Sequence, residues 1–479
     1  MLFEIMTPEQ TKPNIIFIVM DALRAKNLGC YGYSRKTSPN IDFLSKNGTM
    51  FTNAFTSNNA TYKAYLSILA GRHVLLENSK ELFFTKQEIN SFFSSGGTFL
   101  QEILKKQDYK TYCLKYLNGW QKQGFDFYYK EASQKTSNNF INKLKQNSIA
   151  RIMKLLIHLG PKSIADYLRA RYGRNSDEKV TKDAIEIIEK SKPDEKFFLW
   201  VDFDYTHIPY NPRKFTNKFT GKGDEEFFKK IKGKPYNTLM KSFWKNAFNN
   251  NETIEDIIAR YDSAIAFDDS LIGDILQTLK KKKLLDNTLI FFFSDHGESL
   301  DEHGIYFSHH GLYDVATQVP LIMYGKSIPK DKKITSLVQH EDLVPTILDL
   351  LGIKYSPLEF DGKSLIQLIK NKSTSTRELI FMEEGDYLKK QGIRTKNLKY
   401  LESSSIKDAT CKICNNTHGG LIELYDLKKD PKEEQNLAKS DKQTLIKMKL
   451  KLESAVRDLK LTNEKRRIRH LISKKAKYL

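Results

Sequence analysis

Only 4 cysteines occur in the 479 residues of this chain, too few for a disulfide framework to hold the fold together. Cys30 and Cys113 stand alone and read as core residues. Cys411 and Cys414 form C-x-x-C in TCKICNNTHGG, with His418 close behind. A complete zinc site takes four ligands and no second cysteine pair follows. The pair therefore reads as reduced loop thiols, with a structural metal as the alternative. Long apolar runs are also missing: no stretch reaches the roughly 20 residues that cross a bilayer. The opening MLFEIMTPEQTKP lacks a basic segment followed by an apolar one, so the expectation is a cytoplasmic protein without a secretory signal. No internal repeat stands out, and no RNA- or DNA-binding motif is present.

What is present in excess is positive charge. Seventy-eight Lys and Arg stand against 58 Asp and Glu, a formal net charge of +20. This fits a Lys-rich solvated surface, or attraction to anionic substrates or a phospholipid surface. The length suffices for one large α/β domain and a smaller one. Strands and helices alternate from residue 12 to about 355, as in a doubly wound sheet. Within that span residues 131–178 are basic and poorly patterned, an expected variable insertion, and 213–250 read as a charged surface loop. From 356 to 440 the elements shorten to those of a small antiparallel sheet. Residues 441–479 read as a basic amphipathic helical tail, packed on its own domain or touching a membrane surface peripherally.

Two strand ends carry the chemistry. Ile290-Phe291-Phe292-Phe293 stops at Ser294-Asp295-His296-Gly297, and Ile15-Ile16-Phe17-Ile18-Val19-Met20 stops at Asp21. Open α/β sheets place their ligand crevice beyond the C-terminal ends of such buried strands. Two carboxylates and an imidazole arriving there from distant segments can share one divalent metal.

PNIIFIVMDALRAKNLGCYGYSRKTSPNID, FTNAFTSNNATYKAYLSILAGRH, FFLWVDFDYTHIPYNP, RYDSAIAFDDSLIGDIL and SDHGESLDEHGIYFSHHGLYDVATQVPLI follow one another in this order. Together with HEDLVPTILDLLGI, DGKSL and IELYDLKKDPKEEQNLA they resemble the sulfatase branch of the alkaline phosphatase superfamily over most of the chain. The resemblance implies an alkaline phosphatase-like α/β fold with a smaller C-terminal subdomain built on an antiparallel sheet. It also implies an ester hydrolase. Sulfatases carry Cys or Ser, x, Pro, x, Arg before an apolar stretch and Gly-Arg. Anchored on Ala70-Gly71-Arg72, the nucleophile position here is Thr61, with Lys63 for Pro and Tyr65 for Arg. Formylglycine is therefore not expected, because maturation acts on Cys or Ser.

Thr61 resembles instead the phosphodiesterase and phosphotransferase relatives, in which a threonine hydroxyl activated by a cation attacks phosphorus. The implied metal ligands are Asp21, Thr61, Asp295 and His296. Imidazole at His296, where formylglycine sulfatases more often carry Asn, favours Zn or Mn over Ca. His207 matches a substrate-facing histidine before proline, and His309 and His310 fall where relatives contact the ester. His310 is the favoured proton carrier, although a slip of one residue exchanges it with His309. Lys63 is the cation next to Thr61. The expected substrate is a small-molecule, glycan- or lipid-linked anionic ester of phosphate or sulfate. A sulfatase proper, a phosphoryl transferase and a non-catalytic anion-binding relative are the alternatives.

Overall fold

A computed structural model describes residues 12–76, 84–117, 119–129, 176–210, 215 and 218–475. The expected insertion at 131–178 lies almost wholly outside the described residues. Nine strands make the large sheet: β1 (Asn14–Met20), β2 (Thr49–Phe55), β3 (Tyr109–Tyr116), β4 (Phe127–Tyr129), β5 (Lys196–Phe203), β6 (Thr288–Phe293), β7 (Gln318–Tyr324), β8 (Lys332–Ile334) and β9 (Val338–Gln339). Their spatial order is β4-β3-β5-β1-β6-β7-β2-β8, with β9 also on β2. The run from β4 to β6 is parallel, and β7 is antiparallel to both its neighbours.

Both faces of this sheet are covered, which explains why its strands read as unbroken apolar runs. Ile15, Phe17 and Val19 join one core, whereas Ile16, Ile18 and Met20 join the other. Phe17 sits between Phe198, Trp200, Phe291 and Phe293 at ring separations of 5.0 to 5.6 Å. The long helix Ile254–Lys281 opens with a capping box in which Thr253 and Asp256 satisfy each other's backbone donors. It covers the second face, with Ile257, Ile265, Ile272 and Leu279 buried.

The described residues of 213–250 do not form the expected surface loop. Short helices at Phe227–Lys230 and Thr238–Ala247 bury Phe227, Tyr236, Trp244 and Phe248 together. The many lysines around them hid four aromatic anchors whose burial outweighs the polar composition.

A second sheet, β10 (Leu379–Glu384), β11 (Lys390–Thr395), β12 (Leu398–Glu402) and β13 (Ile422–Asp426), is antiparallel throughout. The helix Lys442–Lys475 lays Met448 and Leu452 against Phe381, Ile393, Tyr400 and Leu424 of that sheet. Farther along, Arg466 binds the Asp361 carboxylate and donates to the Leu358 carbonyl. Among the described residues no helix is long and apolar enough to cross a membrane.

Candidate active site

Parallel pairing sets the two strand tips side by side, with Val19 of β1 opposite Phe293 of β6. Ser294 fastens them: its hydroxyl donates to the Met20 carbonyl at 2.6 Å and accepts from the Leu23 N–H at 2.9 Å. The chain turns sharply at Ala22, whose φ of 62° lies in the left-handed region, a conformation that costs on the order of 1 kcal/mol for a residue with a Cβ. Gly297 is forced by crowding. A Cβ there would lie 2.2 Å from the Val315 carbonyl oxygen.

Asp21, Asp295 and His296 are fully buried, and one donor atom from each falls within 4.8 Å of the others. His296 Nδ1 donates to the Gly297 carbonyl at 2.8 Å. That fixes the tautomer and leaves the Nε2 lone pair facing inward. Nε2 lies 3.5 Å from Asp21 Oδ1 and 3.7 Å from Asp295 Oδ2. Asp295 Oδ2 is buried with no hydrogen-bond partner among the described residues. Burial and the adjacent Asp21 charge push the Asp295 carboxyl up to about 6. A lone pair aimed at two buried carboxylates is an arrangement that a divalent cation satisfies, and the donor set fits one.

Thr61 opens the helix Thr61–Ala70. It could have served as the helix N-cap; that position belongs to Ala60, and the Asn58 side chain accepts from the Ala60 N–H. The Thr61 hydroxyl turns instead to His296, with Oγ1 3.2 Å from Nε2. Its placement at the positive end of the helix dipole suits an anionic substrate.

His207, His296 and His309 form a cluster of three rings, separated by 5.7 Å (His207 to His309), 4.2 Å (His296 to His309) and 6.5 Å (His207 to His296). Burial, with the His296 and His207 imidazoles beside it, holds His309 well below the usual imidazole range. Asn59, two residues before Thr61, donates to the backbone carbonyls of His309 and Gly311 at 2.7 and 3.0 Å. His310 points away from this cluster, its ring 5.3 Å from that of His418. The Lys63 ammonium is buried against Asp386 at 2.6 Å.

Lys115 is a cation that sequence patterning does not single out. It projects near the end of β3, contacts the Asp202 carboxylate and the Tyr65 hydroxyl, and lies 4.0 Å from Asp21 Oδ2. Its signal is faint, because a lysine among the alternating residues of YKTYCLKY looks like any solvent-facing position. Tyr65 donates to Asp202 and packs on Trp200 at 4.9 Å. It fills the core where the resemblance led one to look for an arginine. A small cleft opens beside Thr61, lined by Tyr62, Lys115, Tyr116, Gln121, Tyr129 and Asp204 among others.

The family model described as Sulfatase matches residues 13–353. The chain belongs to the sulfatase family. A second family model, N-sulphoglucosamine sulphohydrolase, C-terminal, matches residues 301–460. An arylsulfatase of Clostridium perfringens is 26% identical, with 90% of this chain and 91% of that protein covered. Mouse arylsulfatase K is 25% identical over 93% of this chain and 79% of its own length. The sulfatase-family fold recurs in a protein solved with its substrate D-glucosamine-2-N,6-O-disulfate, with a TM-score of 0.65, 17% identity, and coverage of 95% and 98%. It recurs too in the phosphonate monoester hydrolase of Agrobacterium radiobacter, with a TM-score of 0.64, 18% identity, and coverage of 94% and 96%.

Proposed function

We propose that this sulfatase-family chain hydrolyses an ester of sulfate or phosphate through Thr61, beside a divalent cation held by Asp21, Asp295 and His296. The observation that carries the reading is the Thr61 hydroxyl lying 3.2 Å from the inward-facing Nε2 of His296. When bound, the cation supplies positive charge that lowers the pKa of a hydroxyl and offsets charge building on the ester oxygens. Two carboxylates and an imidazole favour Zn or Mn over Ca in this role.

Thr61 Oγ1 is the nucleophile, forming a bond to the sulfur or phosphorus while the bond to the alcohol oxygen breaks; water then attacks the threonine ester, releasing the oxyanion and restoring the hydroxyl. His309, rather than its neighbour His310, belongs to the histidine cluster around Thr61, where as a neutral imidazole it can orient the ester by hydrogen bonding, with His207 beside it. Lys115 adds a fixed positive charge at the same strand ends, where Lys63 is instead paired with Asp386. Tyr62, Tyr116 and Tyr129 give the cleft aromatic walls, suited to the ring of an aryl group or a sugar.

Two oxyanions compete for this site. The names of the relatives, arylsulfatase and iduronate 2-sulfatase, support a sulfate ester, which the proteins solved with or described for sulfated sugars also suggest. Thr61 supports a phosphoester. Oxidation of its secondary hydroxyl gives a ketone and not the aldehyde of formylglycine, so sulfate release through an aldehyde hydrate is closed to it. Matched aryl sulfate, aryl phosphate and aryl phosphodiester substrates decide between them, with metal content recorded. Phosphoester turnover that requires Thr61 supports the threonine mechanism. Sulfatase turnover unaffected by Thr61→Ala removes it.

A further inference from the structure

Among the described residues, a second cluster of metal-ligating side chains lies outside the catalytic one. Donor atoms of His310, Cys411, Cys414 and His418 all fall within 4.8 Å of one another. Cys411 and Cys414 are free thiols, both fully buried. His310 is 3% and His418 8% exposed. The chain thus brings the second pair of ligands from two places, one far upstream of the C-x-x-C and one just after it.

The details around the four side chains are those of a metal centre. His418 Nδ1 donates to the His303 carbonyl at 3.0 Å, which leaves Nε2 as a lone pair, 2.8 Å from Cys414 Sγ. The Ser308 hydroxyl lies 2.9 Å from His310 Nδ1, leaving Nε2 as the nitrogen free to ligate. Both imidazoles are therefore oriented by an outer partner on the nitrogen that does not face the thiols. The Ile413 N–H points at Cys411 Sγ at 3.4 Å, a donor that stabilises a thiolate. Zinc bonds of about 2.0 Å to nitrogen and 2.3 Å to sulfur put tetrahedral ligands roughly 3.3 to 3.8 Å apart. The quartet reaches that spacing by side-chain shifts of about 1 Å.

We propose that His310, Cys411, Cys414 and His418 bind a structural zinc ion, separate from the cation of the catalytic site. Two thiolates and two neutral imidazoles select zinc over the hard cations that carboxylates take. With all four positions filled by protein, the ion has no open coordination site and does no chemistry on a substrate. Its work is to clamp the loop at 411–418 onto the loop at 303–310. His309 is thereby held toward the catalytic cluster by the anchoring of the residue after it.

The test uses the full chain purified without chelator. Wild type contains a zinc equivalent, in addition to any bound at the catalytic site, that persists in Asp295→Asn, while Cys414→Ala loses it. If Cys414→Ala does not accumulate as folded protein, wild type alone decides: titration with a mercurial thiol reagent releases one zinc as Cys411 and Cys414 react. Protein grown in Co²⁺ shows thiolate-to-cobalt charge-transfer absorption that Asp295→Asn retains. Reaction of both thiols without zinc release, a Cys411–Cys414 disulfide in the purified protein, or cobalt absorption without a thiolate band each overturns the proposal.

Discussion

At the scale of single residues, Thr61 and its neighbours make separable demands. Thr61→Ala removes the nucleophile yet leaves Asp21, Asp295 and His296 in place. Turnover should fall by more than about 100-fold, with catalytic-site metal retained when metal content is measured on the same sample. Thr61→Ser keeps the hydroxyl and should recover part of the rate. Full activity in the alanine variant would exclude Thr61 as nucleophile. His73 offers a different test, because it is buried between two carboxylates, 2.9 Å from Glu383 and 3.5 Å from Glu341. Burial alone would lower its pKa, but hydrogen bonds and charge from Glu341 and Glu383 outweigh that and raise it to about 10. The unfolded value is about 6.5. A histidine raised on folding stabilises fully below the unfolded value, and the stabilisation drains away as pH rises through the folded one. Urea midpoints of wild type should therefore decline from about pH 6.5 toward 10. His73→Gln should flatten that slope, and an unchanged slope would mean the charged pair is not what holds this corner.

Elements tell how position is inherited from pattern. The helix Lys442–Lys475 is anchored to the small sheet by few side chains, since Met448 and Leu452 are its two fully buried apolar residues. Leu452→Ala should cost about 2–5 kcal/mol, seen as a lower denaturant midpoint. The exposed Ile446→Ala should change it little, Ile446 being 57% exposed. Equal losses from both would show that the exposed stripe is itself covered. Strands β1 and β6 were legible because an unbroken apolar run closed by Asp21 or by Ser294-Asp295-His296 fits a strand covered on both faces and little else. Their convergence followed from the sheet rule that gathers strand tips at one edge. Lys115 was illegible, since alternation along β3 says which face a residue takes and nothing of what waits beyond the strand end. His309 and His310 were ambiguous for a similar reason. Two adjacent histidines in an extended loop face opposite ways, and which way is decided by the Cys411–Cys414 loop far along the chain. The aromatic anchors in 213–250 were masked by composition, which averages over the few positions that matter.

For the molecule as a whole, the catalytic cluster is a place of stored repulsion. Asp21 and Asp295 are both fully buried, one beside the other, and a bound cation stabilises the folded state by its binding free energy. Chelation should lower the melting temperature, and graded Zn²⁺ or Mn²⁺ should restore it by an amount that rises with the logarithm of the metal concentration. Asp295→Asn should blunt that dependence. A melting temperature indifferent to metal would remove the cation from the proposed mechanism.

The seat of β1 at the middle of the sheet governs how the protein comes into being. This strand is the first of the described strands to leave the ribosome, yet one of its hydrogen-bonded edges waits for β5 and the other for β6 at residues 288–293. At roughly 5–20 residues per second, the apolar segment that ends in Asp21 stays without its second partner for some tens of seconds of synthesis. During that interval Phe17 has no finished pocket, and both edges of β1 can pair with any other unsatisfied strand. Slower elongation, or a shortage of chaperones during that window, should reduce the yield of folded enzyme without any change in the stability of the molecules that succeed.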